Sequence, residues 1–386
     1  MGKRIAALLT GLLVLFWGIV PARAAGPEVA APSYVLMDAA TGTVILEENA
    51  HEHLAPASVT KVMTLLLVME ALDSGRIGWD DSVTASAAAA AKGGSQIYLE
   101  EGESLPLKEM LKSVVVSSAN DCAAALAEHV AGSEAAFVEK MNRRAEELDM
   151  ADTRFANCTG LDDEAPASEH YSCAMDIAVM SRELLRHDEI RDYTTIWMDT
   201  VRNGQFGLSN TNKLIRFYKG ATGLKTGYTS AAGHCLAASA KRDEMELIAV
   251  VLHCASSSDR FESAKALLDY GFANYALVDA LPEEGLGSVP VRLGDVTKIE
   301  PAAEDPGPLL LEKDQIGDVE RSVQLLPDVT APVAAGQRLG LLTVRSGGAV
   351  VAEIPLVAAE SVARQSYLAI LRRVLAAACL GASEQA

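Results

Sequence analysis

Two residues that could form an activated nucleophile lie three positions apart at the start of an apolar run. Ser58 and Lys61 belong to the segment Pro-Ala-Ser-Val-Thr-Lys at 56–61, and apolar residues follow at 62–69. Positions i and i+3 share a face of a helix, so the hydroxyl and the amine can meet without help from tertiary structure. The same tetrad also fits a serine N-cap followed by a solvated lysine, so the rest of the chain has to decide.

Two further polar clusters follow in the chain. The first is Ser117-Ser118-Ala119-Asn120-Asp121, between two helical patterns, and the second is Lys225-Thr226-Gly227, on a predicted strand. Ser-x-x-Lys, Ser-x-Asn and Lys-Thr-Gly in this order form the active-site set of penicillin-binding proteins and class A β-lactamases. Three motifs in order favour the catalytic interpretation of Ser58.

The residue types match the needs of acyl transfer. Ser58 is the candidate nucleophile, and Lys61 can act as its base only when neutral, so its pKa must fall from about 10.4. Burial and a nearby cation, for which Lys225 is the candidate, could lower it. We expect Ser118 to relay a proton to the leaving amine, and Asn120 to hold the substrate amide and orient Lys61.

The segment after the third motif predicts a peptide-binding strand. An edge strand at 225–229 would bind an extended peptide by β-addition, with Lys225 and Thr226 beside the substrate. Gly227 lacks a side chain, so we expect the substrate backbone to lie against it. The N–H groups of Ser58 and of a residue near Tyr228 would form the oxyanion hole.

Composition limits the remaining function classes. A chain of 386 residues with 49% hydrophobic residues is globular and long enough for two domains. The net charge of -19 argues against nucleic-acid binding, which depends on basic surface. We see no metal-ligand spacing and no phosphate-binding glycine loop, so we expect no metal and no cofactor.

The first 24 residues predict a signal peptide. Lys3 and Arg4 precede an apolar stretch at 5–20, and Pro21-Ala22-Arg23-Ala24 predicts cleavage after Ala24. An uncleaved anchor is the alternative, for which the apolar run is short. We therefore expect export and a mature protein at the extracytoplasmic face of the membrane.

The six cysteines show no C-x-x-C pair, and we expect small buried apolar residues. A bridge between Cys158 and Cys173 stays open. Export would permit it, but a chain of this size does not need it.

Periodicity predicts an α+β fold. A hairpin at 33–46, helical patterns between 58 and 185, strands at 224–228, 235–240 and 247–253, and a helix at 260–275 predict one antiparallel sheet covered by helices, with a helical insert. This catalytic domain would span 25–278. Short alternating segments, among them 289–293, 296–299, 333–343 and 350–354, predict a small all-β domain at 285–357.

The end of the chain predicts an amphipathic helix at 360–380. Val362, Ile370 and Leu371 would share its apolar face, with Arg364 and Arg372 on or beside the polar side. This pattern is typical of a helix that lies on a membrane surface, and a helix docked on its own β domain is the alternative.

The chain resembles the low-molecular-mass penicillin-binding proteins that are serine D-alanyl-D-alanine carboxypeptidases, from about residue 33 to 356. Besides the three motifs, the resemblance rests on segments 93–96, 157–161 and 170–172. It implies a penicillin-binding-protein/β-lactamase-like catalytic domain, a β-rich domain and a terminal membrane-associating helix. It also implies removal of the terminal D-alanine from peptidoglycan stem peptides ending in D-Ala-D-Ala, and covalent inhibition by β-lactams at Ser58.

The resemblance assigns two further residues. Arg260 matches an arginine associated with the substrate's terminal carboxylate, although an ordinary charge at a helix start fits equally well. Asp176 matches a position that we expect to give structural support. Some members carry histidine after Lys-Thr-Gly, but this chain has Tyr228, so a role specific to that histidine is not transferred.

Three other functions are weighed against the carboxypeptidase. A class A β-lactamase would need a carboxylate base to hydrolyse its acyl-enzyme, usually in a Glu-x-x-Leu-Asn context, and we find none. A transpeptidase would use the same residues with an amine acceptor, so the sequence does not separate it fully. A non-catalytic binding protein on this fold is disfavoured because every catalytic residue type is present.

Overall fold

The computed structural model describes residues 26–163, 168–372 and 375. The predicted signal peptide at 1–24 lies outside these residues. Within the described part of the chain, no helix has the length and apolar character needed to cross a membrane.

A hairpin, a largely helical middle, and three strands followed by a helix occur in the predicted order. The strands are β1 (Ser33–Asp38), β2 (Val44–Glu48), β3 (Ser82–Thr84), β4 (Ser104–Pro106), β5 (Met198–Val201), β6 (Phe206–Ser209), β7 (Ala221–Thr229), β8 (Gly233–Arg242), β9 (Met245–Cys254), β10 (Tyr275–Val278), β11 (Val289–Arg292), β12 (Lys298–Ile299), β13 (Pro301–Ala303), β14 (Leu309–Glu312), β15 (Glu320–Leu325), β16 (Val329–Thr330), β17 (Arg338–Ser346) and β18 (Ala349–Ala358). The α-helices are α1 (Lys61–Asp73), α2 (Ala87–Ala90), α3 (Leu107–Ser117), α4 (Asn120–Ala131), α5 (Glu134–Glu147), α6 (Ala174–Leu184), α7 (Arg191–Thr194), α8 (Leu214–Phe217) and α9 (Ser257–Asn274).

The catalytic domain is built on one antiparallel sheet of strand order β2-β1-β9-β8-β7. Alternate residues of β9 point to opposite faces. Ile248 and Val250 join the core that contains α1, whereas Leu247 and Ala249 join the core that contains α9. The sheet is therefore buried on both faces, and the predicted α+β fold with a helical insert is confirmed.

Two helix starts differ from the prediction. A 3-10 turn at Ala57–Thr60 contains Ser58, and the α-helix begins only at Lys61. Helix α9 begins earlier than predicted, because the Ser256 hydroxyl accepts a hydrogen bond from the Asp259 N–H at 3.1 Å and caps it.

The all-β prediction for the second domain is confirmed, but several of its strands were missed. Strands β13 to β15 were not predicted, and β10, placed in the catalytic domain by sequence, pairs with β14. The predicted segment 333–343 is wrong as one strand. A turn at 331–337 separates β16 from β17, and Val333 bridges Val362.

The predicted terminal helix is wrong in its first residues. Val362 and Val333 exchange backbone hydrogen bonds of 2.9 Å, and the buried Val362 side chain belongs to the β-domain core. Residues 367–372 are helical, with Leu368 and Leu371 69% and 55% exposed. Residues 373–374 and 376–380 of the predicted helix lie outside the described residues.

The described cysteines are Cys122, Cys158, Cys173, Cys235 and Cys254. All five are buried and have free thiols, so no bridge joins Cys158 to Cys173. This agrees with the expectation of small apolar side chains.

Candidate active site

The Ser58 hydroxyl and the Lys61 amine meet at the junction of the 3-10 turn and α1. Lys61 Nζ lies 3.0 Å from Ser58 Oγ and donates to the carbonyl oxygen of Thr159 at 2.6 Å. The Lys61 side chain is fully buried, whereas Ser58 is half-buried. The predicted contact of nucleophile and base is therefore present, and Lys61 is held away from bulk water.

A polar turn at 157–160 supports Lys61 from the opposite side. Asn157 Oδ1 accepts hydrogen bonds from the N–H groups of Thr159 and Gly160 at 3.1 and 2.7 Å. Gly160 has φ of +82°, and a Cβ there would overlap the Ala57 carbonyl oxygen. The sequence marked this segment only through the resemblance, whereas the structure gives it the role of aiming a carbonyl at Lys61.

The second motif occupies the junction of α3 and α4. Ser118 ends α3 in the left-handed region, with φ of +62°, and is 4% exposed. Asn120 begins α4, where its Nδ2 donates to the Gly93 carbonyl oxygen and its N–H to the Ser95 carbonyl oxygen, each at 2.7 Å. The predicted loop at 93–96 thus fixes Asn120.

One atom of Asn120 stays available for a ligand. Its Oδ1 is buried, and no hydrogen-bond partner for it occurs among the described residues. A buried acceptor without a partner costs about 1–3 kcal/mol. Retaining this cost is expected where a ligand group completes the hydrogen bond.

Hydrogen bonds connect the third motif to the second. Thr226 Oγ1 donates to Thr211 Oγ1 at 2.7 Å, and the Thr211 N–H donates to the Val116 carbonyl oxygen at 3.1 Å. Val116 lies two residues before Ser118. The structure therefore links the strand that carries Lys225 and Thr226 to the helix end that carries Ser118.

Lys225 is almost fully buried beside other cations. Its Nζ donates to the Thr226 carbonyl oxygen at 2.9 Å. Burial, and then the positive charges of Lys61 and Arg260, hold the pKa of Lys225 well below its usual range. Burial and the neighbouring cations thus disfavour the charged amine of Lys225, and a carboxylate bound beside it would favour that charge.

Gly227 makes a close packing contact that the sequence did not predict. Strand β7 is the last strand of the sheet, as the edge-strand prediction requires. A Cβ at Gly227, however, would lie 2.8 Å from the Pro56 carbonyl oxygen, 3.1 Å from Ala57 Cβ and 3.1 Å from the Val59 nitrogen. The glycine lets β7 pack against the nucleophile turn, and the approach of a substrate backbone to Gly227 stays a prediction.

Arg260 supports the same strand from the first turn of α9. Its Nη1 donates to the carbonyl oxygens of Gly227 and Cys235 at 3.0 and 3.4 Å, and the residue is 9% exposed. Burial lowers the pKa of Arg260. The described hydrogen bonds of Arg260 are thus to strand backbone, and the predicted contact with a substrate carboxylate stays a prediction.

An aromatic stack lies near the end of β7, and the sequence did not indicate it. The Tyr228 ring stacks on His234 of β8 with ring centroids 4.4 Å apart, and Tyr228 remains 60% exposed. Burial, followed by the charge of Arg260, lowers the pKa of His234. An imidazole therefore lies beside Tyr228, although the sequence has no histidine directly after Lys-Thr-Gly.

His170 buttresses the nucleophile turn in its neutral form. The Ala156 N–H donates to His170 Nδ1 at 3.0 Å, so the proton belongs on Nε2, which lies 2.8 Å from Thr60 Oγ1. Burial, and then the charge of Lys61, lowers the pKa of His170 to about 4. From the sequence, His170 was noted only as part of a segment that matches the family, and no role was predicted for it.

Asp176 has the supporting position that the resemblance implied. Its Oδ2 accepts hydrogen bonds from the Asp152 N–H and from Thr153 Oγ1 at 3.0 and 2.7 Å. These bonds fasten the turn after α5 to the start of α6, outside the nucleophile turn.

Comparison with known families agrees with this geometry. The profile of the family described as D-alanyl-D-alanine carboxypeptidase matches residues 21–256. A second profile, described as penicillin-binding protein 5, C-terminal domain, matches residues 282–364. The two matches cover the sheet-and-helix domain and the β domain in turn.

Individual relatives extend over nearly the whole chain. The chain is 39% identical to D-alanyl-D-alanine carboxypeptidase DacF of Bacillus subtilis, over 97% of this chain and 98% of that one. It superposes on penicillin-binding protein 5 of Haemophilus influenzae with a TM-score of 0.78 and 30% identity, covering 88% of this chain and 99% of that one. Ampicillin-bound penicillin-binding protein D2 of Listeria monocytogenes gives a TM-score of 0.58 and 28% identity, covering 64% and 98%.

Proposed function

Because the chain belongs to the D-alanyl-D-alanine carboxypeptidase family, we propose that it removes the terminal D-alanine from peptidoglycan stem pentapeptides through an acyl-enzyme on Ser58. The observation that carries this proposal is the buried Lys61 Nζ, 3.0 Å from Ser58 Oγ. A serine hydroxyl needs a base within hydrogen-bond distance to attack an amide at neutral pH.

Lys61 and Lys225 disfavour each other's charged form, and the reactive state has Lys61 neutral and Lys225 charged. Acylation begins with proton transfer from Ser58 Oγ to this neutral amine of Lys61. The alkoxide attacks the carbonyl carbon of the penultimate D-alanine, and the N–H groups of Ser58 and Tyr228 stabilise the oxyanion. Ser118 passes the proton to the departing amine, and the C–N bond breaks. Asn120 Oδ1 accepts a hydrogen bond from the substrate amide.

The substrate's terminal carboxylate binds in the cationic part of the site. Lys225 supplies the positive charge, Thr226 a hydroxyl donor, and Arg260 further positive charge behind β7. Water then attacks the acyl carbonyl, which releases the shortened peptide and regenerates Ser58. β-Lactams, whose carboxylate and strained amide occupy the same places, acylate Ser58.

The predicted signal peptide and the terminal helical residues support a proposal for the place of action. We propose that the protein is exported and acts at the extracytoplasmic face of the membrane as a peripheral protein. The exposed Leu368 and Leu371 on the terminal helical residues support contact with a membrane surface.

The first experiment measures free D-alanine released from a peptide ending in Lys-D-Ala-D-Ala, using the form that lacks residues 1–24. Ser58→Ala is assayed in parallel with the wild type. Release that disappears in this variant supports the proposal, and no release from the wild type contradicts it. A parallel reaction with an added amine acceptor separates hydrolysis from transpeptidation.

A further inference from the structure

Three side chains with metal-binding atoms converge outside the residues assigned to catalysis. His51 Nδ1 lies 2.9 Å from Asp152 Oδ2, and the ligand atoms of His51, Asp152 and Cys173 all lie within 4.8 Å of one another. Ligand atoms around a tetrahedral zinc ion are about 3.5 Å apart, given metal bonds of about 2.0–2.3 Å. Small side-chain movements would bring the three atoms to this spacing.

We propose that this cluster binds a zinc ion through His51, Asp152 and Cys173, with water in the fourth position. Imidazole, carboxylate and thiolate are the three ligand types that zinc takes in proteins. The ion would join the loop that leads to Ser58 to the turn after α5 and to the start of α6. The site is separate from the proposed acyl-enzyme chemistry and does not depend on it.

The backbone around the three ligands is already fixed. Leu54 and Ser172 exchange backbone hydrogen bonds of 2.8 and 3.0 Å, and Arg154 and Tyr171 exchange bonds of 2.9 and 3.0 Å. These pairs lie within three residues of each ligand. The segments are therefore already ordered before a metal binds, so binding costs little further conformational entropy.

A fourth side chain orients the carboxylate. His53 Nε2 lies 2.9 Å from the other oxygen of Asp152, and its ring stacks on Tyr171 with centroids 4.5 Å apart. Hydrogen bonds to ligating carboxylates hold them in place, and their loss costs about 10- to 100-fold in metal affinity. His53 is therefore a positioning residue, not a ligand.

Charge and access also suit a cation. Asp176 lies against Cys173, since the Asp176 N–H donates to Cys173 Sγ at 3.4 Å, so two carboxylates flank the thiol. The side chains of His51 and Asp152 are 65% and 29% exposed, which opens the site to solvent above the buried Cys173.

Cobalt titration of the form lacking residues 1–24 tests the site, because a cobalt–thiolate bond gives a charge-transfer absorption band. We expect the band to saturate at one equivalent, to disappear on addition of zinc, and to be lost in Cys173→Ser. His53→Ala should weaken binding about 10- to 100-fold, and His51→Ala at least as much. Zinc should also raise the unfolding temperature of the wild type.

His187→Ala is the matched control. His187 Nδ1 lies 2.6 Å from Asp73 Oδ2, a histidine–aspartate pair that forms no three-ligand cluster among the described residues. This variant should bind cobalt like the wild type. Absence of the band in the wild type, or equal affinity in His51→Ala and His187→Ala, would overturn the proposal. Circular dichroism of each variant distinguishes a lost ligand from a lost fold.

Discussion

Lys61 lies closer to the carbonyl oxygen of Thr159 than to the hydroxyl of Ser58, at 2.6 Å against 3.0 Å. The base is thus positioned by a backbone carbonyl from a distant segment, and that carbonyl is aimed by Asn157. A shift of this turn would move Lys61 relative to Ser58 without removing either catalytic group.

Asn157→Ala should therefore slow acylation of Ser58 by about 10- to 100-fold, because misplaced reacting groups lose orientation. The rate constant for labelling by a fluorescent penicillin measures this effect. Asn142→Ala is the control, since Asn142 clamps Phe155 with two 2.8 Å hydrogen bonds. It should lower stability and leave acylation unchanged, and equal rates in both variants would contradict this role of the turn.

The sequence predicted the parts of the site that depend on local spacing. Ser58 and Lys61 meet because they are three residues apart, and the edge position of Lys225 follows from a strand pattern. The resemblance located the segments around Asn157 and His170, but no local pattern gives them a role. Their contacts to Lys61 and Thr60 are between residues about a hundred positions apart in the chain.

The errors in the fold have the same origin. Val362 was placed on a helix face by its periodicity, but it pairs with Val333 and fills the β-domain core. The close contact between Gly227 and Pro56 was not predicted, because it depends on tertiary packing. The cluster for which we propose zinc binding was not predicted either, since His51, Asp152 and Cys173 come from three separate segments.

Gly227→Ala should separate the packing role of this glycine from its conformational freedom. The added Cβ would meet the backbone of Pro56 and Val59, so we expect the Ser58 turn to shift and penicillin acylation to fall at least about 10-fold. Gly207→Ala on β6 is the control, because nothing lies within 4 Å of its Cβ position. Wild-type acylation by Gly227→Ala would contradict the packing explanation.

His170 should make stability depend on pH in acid. Its pKa is lowered from 6.5 to about 4 in the folded protein, so between these values the unfolded chain binds a proton that the folded chain does not. The free energy of unfolding should therefore fall as pH drops through this window, by up to about 3 kcal/mol, and be fully retained above it.

Urea unfolding between pH 4 and 7 measures this dependence. His170→Gln should reduce the slope, since glutamine has no titrating ring. An unaltered slope in His170→Gln would assign the acid sensitivity to other groups.

Lys225→Met should exchange activity for stability. Burial, and then the nearby Lys61 and Arg260, lower the pKa of Lys225, so its charged form is unfavourable in the free protein. An apolar side chain of similar length removes this cost. We expect the free energy of unfolding to rise by about 1 kcal/mol or more. D-Alanine release should fall at least about 100-fold, because the substrate carboxylate loses its cation.

Lys265→Met is the control, since Lys265 lies on the exposed side of α9 beside Glu262. It should change the free energy of unfolding and the rate of D-alanine release only slightly. Lower stability in Lys225→Met would contradict this prediction. It would show that the hydrogen bond from Lys225 to the Thr226 carbonyl oxygen stabilises the fold more than the buried charge destabilises it.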